Sequence, residues 1–167
     1  MLLITPKIKK IVSAEREFFI MKRDSDKSVS CNDLEVREVK NFYSRHIYLK
    51  LFLKNFEKSN RQYFIYLINS LFRFQTYSYL VYVNKKPVGI FTVAIEEEDD
   101  LPHIYDFSVL KEYRNKGIGS KMMDWICEEF EEWDSVLLNV ECSNERARSL
   151  YESKGFEIIG YLISDFT

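Results

Sequence analysis

Residues 109–120 read VLKEYRNKGIGS, and this short segment carries the most information about the fold of the chain. It follows an apolar run, it contains several basic residues, and its two glycines, Gly117 and Gly119, open an amphipathic stretch. Glycines let a backbone approach a ligand closely, and the first amides of a helix have no partner within the helix. The helix dipole adds partial positive charge at the same place. The segment therefore predicts a strand, an anion-binding turn suited to a diphosphate, and a helix.

Two common phosphate-binding motifs do not fit this segment. A dinucleotide-binding turn places a third glycine where this chain has Met122. A P-loop needs four residues between its glycines and a following Lys-Ser or Lys-Thr pair, and the segment has neither. The positive charge for an anion would instead come from Arg114 and Lys116.

Hydrophobic periodicity predicts the elements on both sides of the segment. Downstream we expect a helix over residues 117–133, a strand over 136–140, a helix over 144–154 and a strand over 156–163. Upstream we expect a strand over 17–23, a helix capped by Asn32 or Asp33, an aromatic helix within 60–74, a hairpin of strands 79–83 and 88–95, and a strand over 103–110. This order predicts an α/β (α+β) fold with a mixed, mostly antiparallel central sheet flanked by helices.

A second group of landmarks follows near the end of the chain, in the order Asn144, Ala147, Leu150-Tyr151 and Gly155-Phe156. Together with the Arg-x-x-Gly-x-Gly pattern at 114–119, they resemble the core of the GCN5-related N-acetyltransferase (GNAT) superfamily over residues 103–159. The resemblance implies the acyl-CoA N-acyltransferase fold in a single domain over 1–167, with an N-terminal extension at 1–15 and an acetyl-CoA-binding core at 103–160. The first hundred residues fit only by the order of their elements.

The resemblance also implies acetyl-CoA as the cosubstrate. Backbone groups of Val109 and Leu110 would contact its pantetheine arm, which would enter through a splay between the strands that end near Leu110 and start near Val136. Asn144 would contact the cosubstrate further along, or could simply cap its helix. The pyrophosphate would bind to the turn formed by Arg114, Asn115, Lys116, Gly117, Ile118, Gly119 and Ser120.

Acyl transfer to an amine needs a neutral amine, a polarised carbonyl oxygen and a proton for the departing thiolate. In the family the attack is usually direct, and the resemblance implies Tyr151 as general acid and the amide at Val109 or its neighbour as oxyanion donor. Tyr151 also fits a core position, because it continues the buried stripe of its helix. For the general base the candidates are Asp106 and Glu141, with His103 or a chain of water molecules as alternatives.

The composition excludes some classes of function. The 167 residues carry a net charge of −2, with 30% charged and 46% hydrophobic residues, as in an ordinary globular domain. No overall basic bias draws the protein to nucleic acid, and the start MLLITPKIKK has too short an apolar run for a signal peptide. Three cysteines without a C-x-x-C pair and two histidines predict no disulfide framework and no metal site. We therefore expect a cytoplasmic protein with no membrane or nucleic-acid partner.

The acceptor is less closely defined than the reaction. We expect an N-acetyltransferase that acts on a small cationic amine, such as a polyamine, or on a peptide or protein N-terminus. The acidic run at residues 96–100 would attract a cationic amine, although such a run is usually a solvated hairpin tip. The aromatic helix would form the acceptor wall. The alternative function is a non-catalytic module that binds acyl-CoA and regulates a partner protein.

One departure from the family pattern concerns the edge of the sheet. Family members commonly add a further strand after the one at 156–163, and here the chain stops at Thr167. We expect the N-terminal extension or a partner subunit to cover this edge, because unpaired strand edges promote association. A homodimer is therefore expected.

Overall fold

A computed structural model of the protein describes residues 15–24, 34–56 and 75–165. The helices are α1 (Phe42–Asn55), α2 (Ile118–Glu129) and α3 (Glu145–Ser153), and a short 3-10 turn covers Lys111–Tyr113. The strands are β1 (Glu15–Asp24), β2 (Glu35–Glu38), β3 (Thr76–Val83), β4 (Lys86–Ile95), β5 (Pro102–Val109), β6 (Ser135–Glu141) and β7 (Glu157–Asp165). The aromatic helix predicted within 60–74 lies outside the described residues.

The seven strands form one sheet in the order β2-β3-β4-β5-β6-β1-β7. Every neighbouring pair is antiparallel except β5 and β6, which are parallel. The helices pack against this sheet, so the predicted fold class, a mixed and mostly antiparallel sheet flanked by helices, is confirmed.

The first strand lies far from where its position in the sequence suggests. β1 is inserted between β6 and β7, with Phe18 opposite Glu141 on one side and opposite Leu162 on the other. The strand predicted at 17–23 thus lies inside the sheet, between β6 and β7. In the described sheet the edge strands are β2 and β7, and residues 1–14 of the extension that we expected to cover the edge beyond β7 lie outside the described residues.

The start of the first helix differs from the prediction. Residues 35–38, which we expected at the beginning of a helix capped by Asn32 or Asp33, form β2 and pair with β3. Their exposure alternates with a period of two, as in a strand that has one face on the core. The helix begins at Phe42 instead, because Asn41 and Ser44 form a capping box in which each side chain bonds to the other residue's amide.

Two hydrophobic cores lie on opposite faces of the sheet. On one face α2 inserts the fully buried Met122, Met123 and Ile126 into the larger core. On the other face α1 buries Tyr48, Leu51 and Phe52 in the smaller one, together with side chains from β3 and β4 and with Leu110. Strand β5 lies between these helices and contributes side chains to both faces.

Among the helices in the described ranges, none is both long and apolar enough to cross a membrane.

Candidate active site

The turn between β5 and α2 is braced by its own backbone and side chains. The Nε of Arg114 donates a hydrogen bond to the Val109 carbonyl at 2.8 Å, so this guanidinium holds the end of the strand against the turn. Gly117 caps α2 in the left-handed region at φ 74°, and no side chain bonds to the helix start. The first helical bond runs from the Lys121 amide to the Gly117 carbonyl at 3.0 Å. The amides before it therefore have no helical partner.

The two glycines of the turn have different surroundings. A Cβ added to Gly117 would meet no atom within 4 Å, so the space above this residue is open. A Cβ at Gly119 would lie 3.4 Å from Leu150 Cδ2 and 3.8 Å from Phe107 Cε1. Gly119 thus permits α2 to approach α3 and β5 closely, while Gly117 leaves room for a ligand beside the free amides.

Basic side chains surround the opening of the turn. The ammonium of Lys116 lies 5.1 Å from the ring centre of Tyr113. Arg146, in the first turn of α3, donates a hydrogen bond to Asn115 Oδ1 at 2.8 Å. We did not single out Arg146 from the sequence. The sequence did offer a signal for Arg146, because it follows the landmark Asn144 by two residues. The structure shows that this start of α3 lies beside the turn.

A cleft opens between β5 and β6 next to the turn. These strands pair only at His103–Leu137 and Ile104–Leu138, and their later residues are not paired. Parallel strands that pair at one end and separate at the other leave backbone groups unsatisfied along both walls. The cleft lies where the sequence predicted a splay.

Val109 presents its backbone to this cleft. The Leu110 amide bonds to the Val88 carbonyl of β4 at 2.8 Å. Because successive backbone groups of a strand point to opposite sides, the Val109 N–H points away from β4, toward β6. The carbonyl of Leu110 accepts a bond from the Tyr113 amide at 2.8 Å. Val109 therefore has a free amide at the cleft, whereas both backbone groups of Leu110 already have partners in Val88 and Tyr113.

Asp106 lies at a bulge in β5. Asp106 and Phe107 together oppose the single residue Phe91 of β4, and Asp106 adopts a positive φ of 53°. Its Oδ2 accepts a hydrogen bond from the Tyr48 hydroxyl of α1 at 3.3 Å. Burial raises the pKa of Asp106 to about 6, while the bond from Tyr48 acts in the opposite direction. A carboxyl that titrates near neutrality is suited to accept a proton.

Tyr48 belongs to a row of buried hydroxyl groups that sequence reasoning missed. Its hydroxyl lies 2.7 Å from Thr92 Oγ1, which lies 3.0 Å from Ser78 Oγ. All three residues are buried. The signal in the sequence was weak. Thr92 and Ser78 are polar residues at core-facing positions of β4 and β3, and only the fold shows that a helical tyrosine joins them.

Tyr151 is both a core residue and an available hydroxyl. Its ring packs against Phe107 and Phe156 with centroid distances of 6.0 Å each. Within the described ranges no hydrogen bond contributes to the pKa of its hydroxyl. Burial raises its pKa above the ordinary tyrosine value, which keeps the proton on the oxygen. The contact between the rings of Tyr151 and Phe107 holds α3 against β5.

Asn144 and Glu141 lie at the start of α3 and the end of β6. Asn144 caps α3, since its Oδ1 accepts the Ala147 amide at 3.2 Å. Val140 and Leu138 of β6 face the larger core. By alternation Glu141 points to the opposite face, the one on which Asp106 contacts Tyr48. The structure thus puts both carboxylates of the prediction on one face, from opposite walls of the cleft.

The acidic run forms the turn between β4 and β5, at the opposite end of β5 from the glycine turn. His103 Nε2 lies 2.9 Å from Asp99 Oδ2, and the Tyr105 hydroxyl donates to Glu96 at 2.8 Å. Because these contacts are local, Glu96, Asp99 and His103 act as structural parts of the turn.

The remaining predictions concern the cysteines and a metal site. Burial raises the pKa of the Cys142 thiol, with a further contribution from Glu17, which does not favour a thiolate. Within residues 15–24, 34–56 and 75–165, no three His, Cys, Asp or Glu side chains are grouped so as to hold a metal ion.

Comparison with known proteins identifies relatives of the chain. A family model described as the acetyltransferase (GNAT) family matches residues 34–156. Among curated proteins, N-alpha-acetyltransferase 50 of Danio rerio is 35% identical over 85 residues. That match covers 48% of this chain and 51% of the relative, so the chain spans about half the length of the curated protein.

Solved structures share the fold at low identity. A GNAT-family protein from Novosphingobium aromaticivorans superposes with a TM-score of 0.70 at 16% identity, covering 97% of this chain and 68% of that one. AAC(6')-Iy, in complex with the bisubstrate analog CoA-S-monomethyl-acetylneamine, gives a TM-score of 0.63 at 11% identity, covering 81% of this chain and 99% of that one.

Proposed function

Because the chain belongs to the acetyltransferase (GNAT) family, we propose that it transfers the acetyl group of acetyl-CoA directly to a primary amine. The observation that carries this proposal is the open space at Gly117, beside unpartnered amides at the start of α2 and next to a cleft in the sheet. A diphosphate fits such a helix start by charge and by hydrogen bonding.

The turn would hold the pyrophosphate of acetyl-CoA. The amides of Ile118, Gly119 and Ser120 would donate hydrogen bonds, with charge from Lys116 and Arg146. The pantetheine arm would then lie along the cleft, where the Val109 amide is free to polarise the thioester carbonyl. This direction places the thioester near the bulge at Asp106.

The chemistry follows from the groups that line the cleft. The amine nitrogen forms a bond to the thioester carbon, and Asp106 accepts the proton that the nitrogen loses. The carbon–sulfur bond then breaks, and Tyr151 donates a proton to the thiolate as it leaves. Glu141 is the second candidate for the base, since it faces the same side of the sheet.

Two classes of acceptor are supported by the relatives. The name of the Danio rerio protein describes action on an N-terminal α-amine, which favours a peptide acceptor. The ligand named with AAC(6')-Iy is an acetylated aminoglycoside joined to CoA, which favours a small cationic amine. The acidic run does not decide between them, because Glu96 and Asp99 already have local partners.

An acetyl-transfer assay with Tyr151→Phe tests this proposal. CoA release is followed with polyamines, aminoglycosides and peptides that have free N-termini. We expect turnover with one class and a decrease in kcat of roughly 100-fold in Tyr151→Phe, because the leaving thiolate loses its proton donor. Calorimetric titration should show unchanged binding of acetyl-CoA.

The contrary outcomes are distinct. Binding of acetyl-CoA with no turnover of any acceptor by the wild-type protein would favour the regulatory module. Full activity in Tyr151→Phe would remove the acid role from this residue and leave its packing role. Absence of any thermal shift with CoA would contradict the family's cosubstrate for this chain.

We also propose a homodimer formed through β7. This edge strand exposes apolar side chains on both faces, with exposed fractions of 41–62% at Ile158, Ile159, Tyr161, Leu162 and Ile163. Such an edge favours pairing with another strand. Sedimentation should show a dimer that Ile163→Lys converts to monomer, whereas Leu53→Lys, at an exposed apolar site on α1, should not change it. A monomeric wild type would contradict this proposal.

We also propose a cytoplasmic location, because the cysteine pattern predicts no disulfide framework and is typical of a reducing compartment. Cys127 and Cys142 are both free thiols in the described structure.

A further inference from the structure

The hydroxyl groups next to Asp106 form a continuous chain across three strands and a helix. Starting at the carboxylate, it passes through the Tyr48 hydroxyl at 3.3 Å and Thr92 Oγ1 at 2.7 Å to Ser78 Oγ at 3.0 Å. Tyr48 is fully buried, and Thr92 and Ser78 are 1% and 5% exposed. Three polar groups buried in one row within a hydrophobic core have a cost that well-formed hydrogen bonds must offset.

The polar groups on the same face of the sheet as Asp106 come from α1, β4, β5 and β6. Tyr48 of α1 is the titratable side chain that bonds to Asp106. Thr92 of β4 bonds to Tyr48 and so acts on Asp106 through that tyrosine. On its own strand Ser108 bonds to Asn55 of α1, and across the cleft Glu141 points to the same face. Within the described ranges, no lysine, arginine or histidine forms an ion pair with Asp106.

The direction of the hydrogen bonds follows from the ionisation of Asp106. A carboxylate only accepts, so the Tyr48 hydroxyl must donate to it and can then accept from Thr92, which accepts from Ser78. When the carboxyl is protonated it can donate to Tyr48, and every hydroxyl in the row can turn to donate the other way. The chain thus remains hydrogen-bonded in both states of a group that gains and loses a proton.

We propose that Tyr48, supported by Thr92 and Ser78, is a positioning residue that holds the Asp106 carboxylate in place for proton transfer. This inference rests on the proposed function, since it assigns Asp106 the role of base. The helix α1 thereby takes part in the chemistry of a site that is otherwise built from β5, β6, α2 and α3. Its capping box at Asn41 fixes the start of the helix that carries Tyr48.

The test replaces the hydroxyl groups one at a time. Tyr48→Phe and Thr92→Val keep the shape of each side chain and remove the hydroxyl, while Thr92→Ser retains it. Tyr79→Phe is the matched control, because Tyr79 is a buried tyrosine that packs on Phe91 and Trp125 on the other face of the sheet. Thermal unfolding of each variant checks that it is folded.

Two measurements are made on each protein. The first is the pH profile of kcat/KM, and the second is a carbon-13 NMR titration of the Asp106 carboxyl, which needs no turnover. We expect Tyr48→Phe to move the acid limb and the carboxyl titration upward by about half to one pH unit, since the carboxylate loses its donor. Thr92→Val should move both upward by less, because Thr92 acts through Tyr48. Thr92→Ser and Tyr79→Phe should leave both in place.

The outcomes separate this inference from the proposed function. An Asp106 titration that is the same in Tyr48→Phe, Tyr79→Phe and wild type would overturn the inference, even in an active enzyme. An equal loss of activity in all variants without any change in the pH profile would also overturn it, as the signature of general destabilisation. A wild type without turnover would overturn the proposed function, while the NMR titration would still decide whether Tyr48 supports the carboxylate.

Discussion

Asp106 combines three unfavourable features in a single residue. It has a backbone φ of 53°, it is partly buried, and it has a hydroxyl rather than a cation as its partner. A non-glycine residue at positive φ and a buried carboxyl both reduce stability, and such features concentrate at functional sites. The family resemblance made Asp106 a candidate base through its place on the strand at 103–110, but the bulge and the Tyr48 bond depend on neighbours that are distant in sequence.

Asp106→Asn should therefore stabilise the protein while it removes activity. The pKa of this carboxyl is about 6 in the folded chain and near its ordinary 3.8 in the unfolded chain. Between these values the folded state binds more protons, so its stability falls as the pH rises through this window and stays lower above it. The amide has no such penalty, which is roughly 1.4 kcal/mol for each pH unit crossed. We expect a higher melting temperature than wild type at pH 8 and no difference near pH 3.5.

The control is Asp24→Asn, because Asp24 is exposed and its pKa is lowered by Lys22. It should not raise the melting temperature at pH 8. Activity of Asp106→Asn should fall roughly 100-fold or more if Asp106 is the base. A variant as active as wild type would transfer that role to Glu141 or to water.

At the scale of elements, the glycine turn and α2 were predictable because their signals are local. Free amides, a left-handed cap and an amphipathic helix all follow from residues within one short segment. β2 was not predictable in the same way, since four residues that alternate weakly are held as a strand by pairing with β3. The capping box at Asn41 and Ser44 was present in the sequence and would have given the correct start of α1.

Gly117→Ala tests the turn as an element, with Gly155→Ala as its control. Both glycines have a left-handed backbone, at φ 74° and 81°, so each substitution should cost about 1 kcal/mol of folding stability. Gly155 ends α3, and its Cβ would face Arg23 at 3.7 Å. Only Gly117→Ala should weaken the binding of CoA, by about tenfold, because its methyl group enters the space proposed for the pyrophosphate. Calorimetry that finds equal affinities for both variants would place the pyrophosphate elsewhere.

At the scale of the whole molecule, the sheet joins the two ends of the described chain. Local periodicity found β1 and β7 as strands but could not show that β1 lies between β6 and β7, because strand pairing over more than a hundred residues leaves no local pattern. The wall of the cleft at β6 is therefore supported by the first strand of the chain. Stability of the site depends on residues that sequence reasoning placed outside its core.

Met21→Ala should measure this dependence. Met21 is fully buried in β1, and its removal should cost about 2–5 kcal/mol in the free energy of unfolding. Lys22→Ala, at the next and partly exposed position, should cost less than about 1 kcal/mol. Denaturant titration of both variants is the measurement. Equal and small effects would mean that β1 contributes little to the packing of the sheet.

The placement of β1 has a consequence for biosynthesis. This strand is translated more than a hundred residues before either of its partners, at 135–141 and 157–165. Until those partners have been synthesised β1 has no neighbour in the sheet, so this sheet can form only after residue 165 has been translated. During that interval both edges of β1 are unpaired, which is the condition under which a strand associates with other chains.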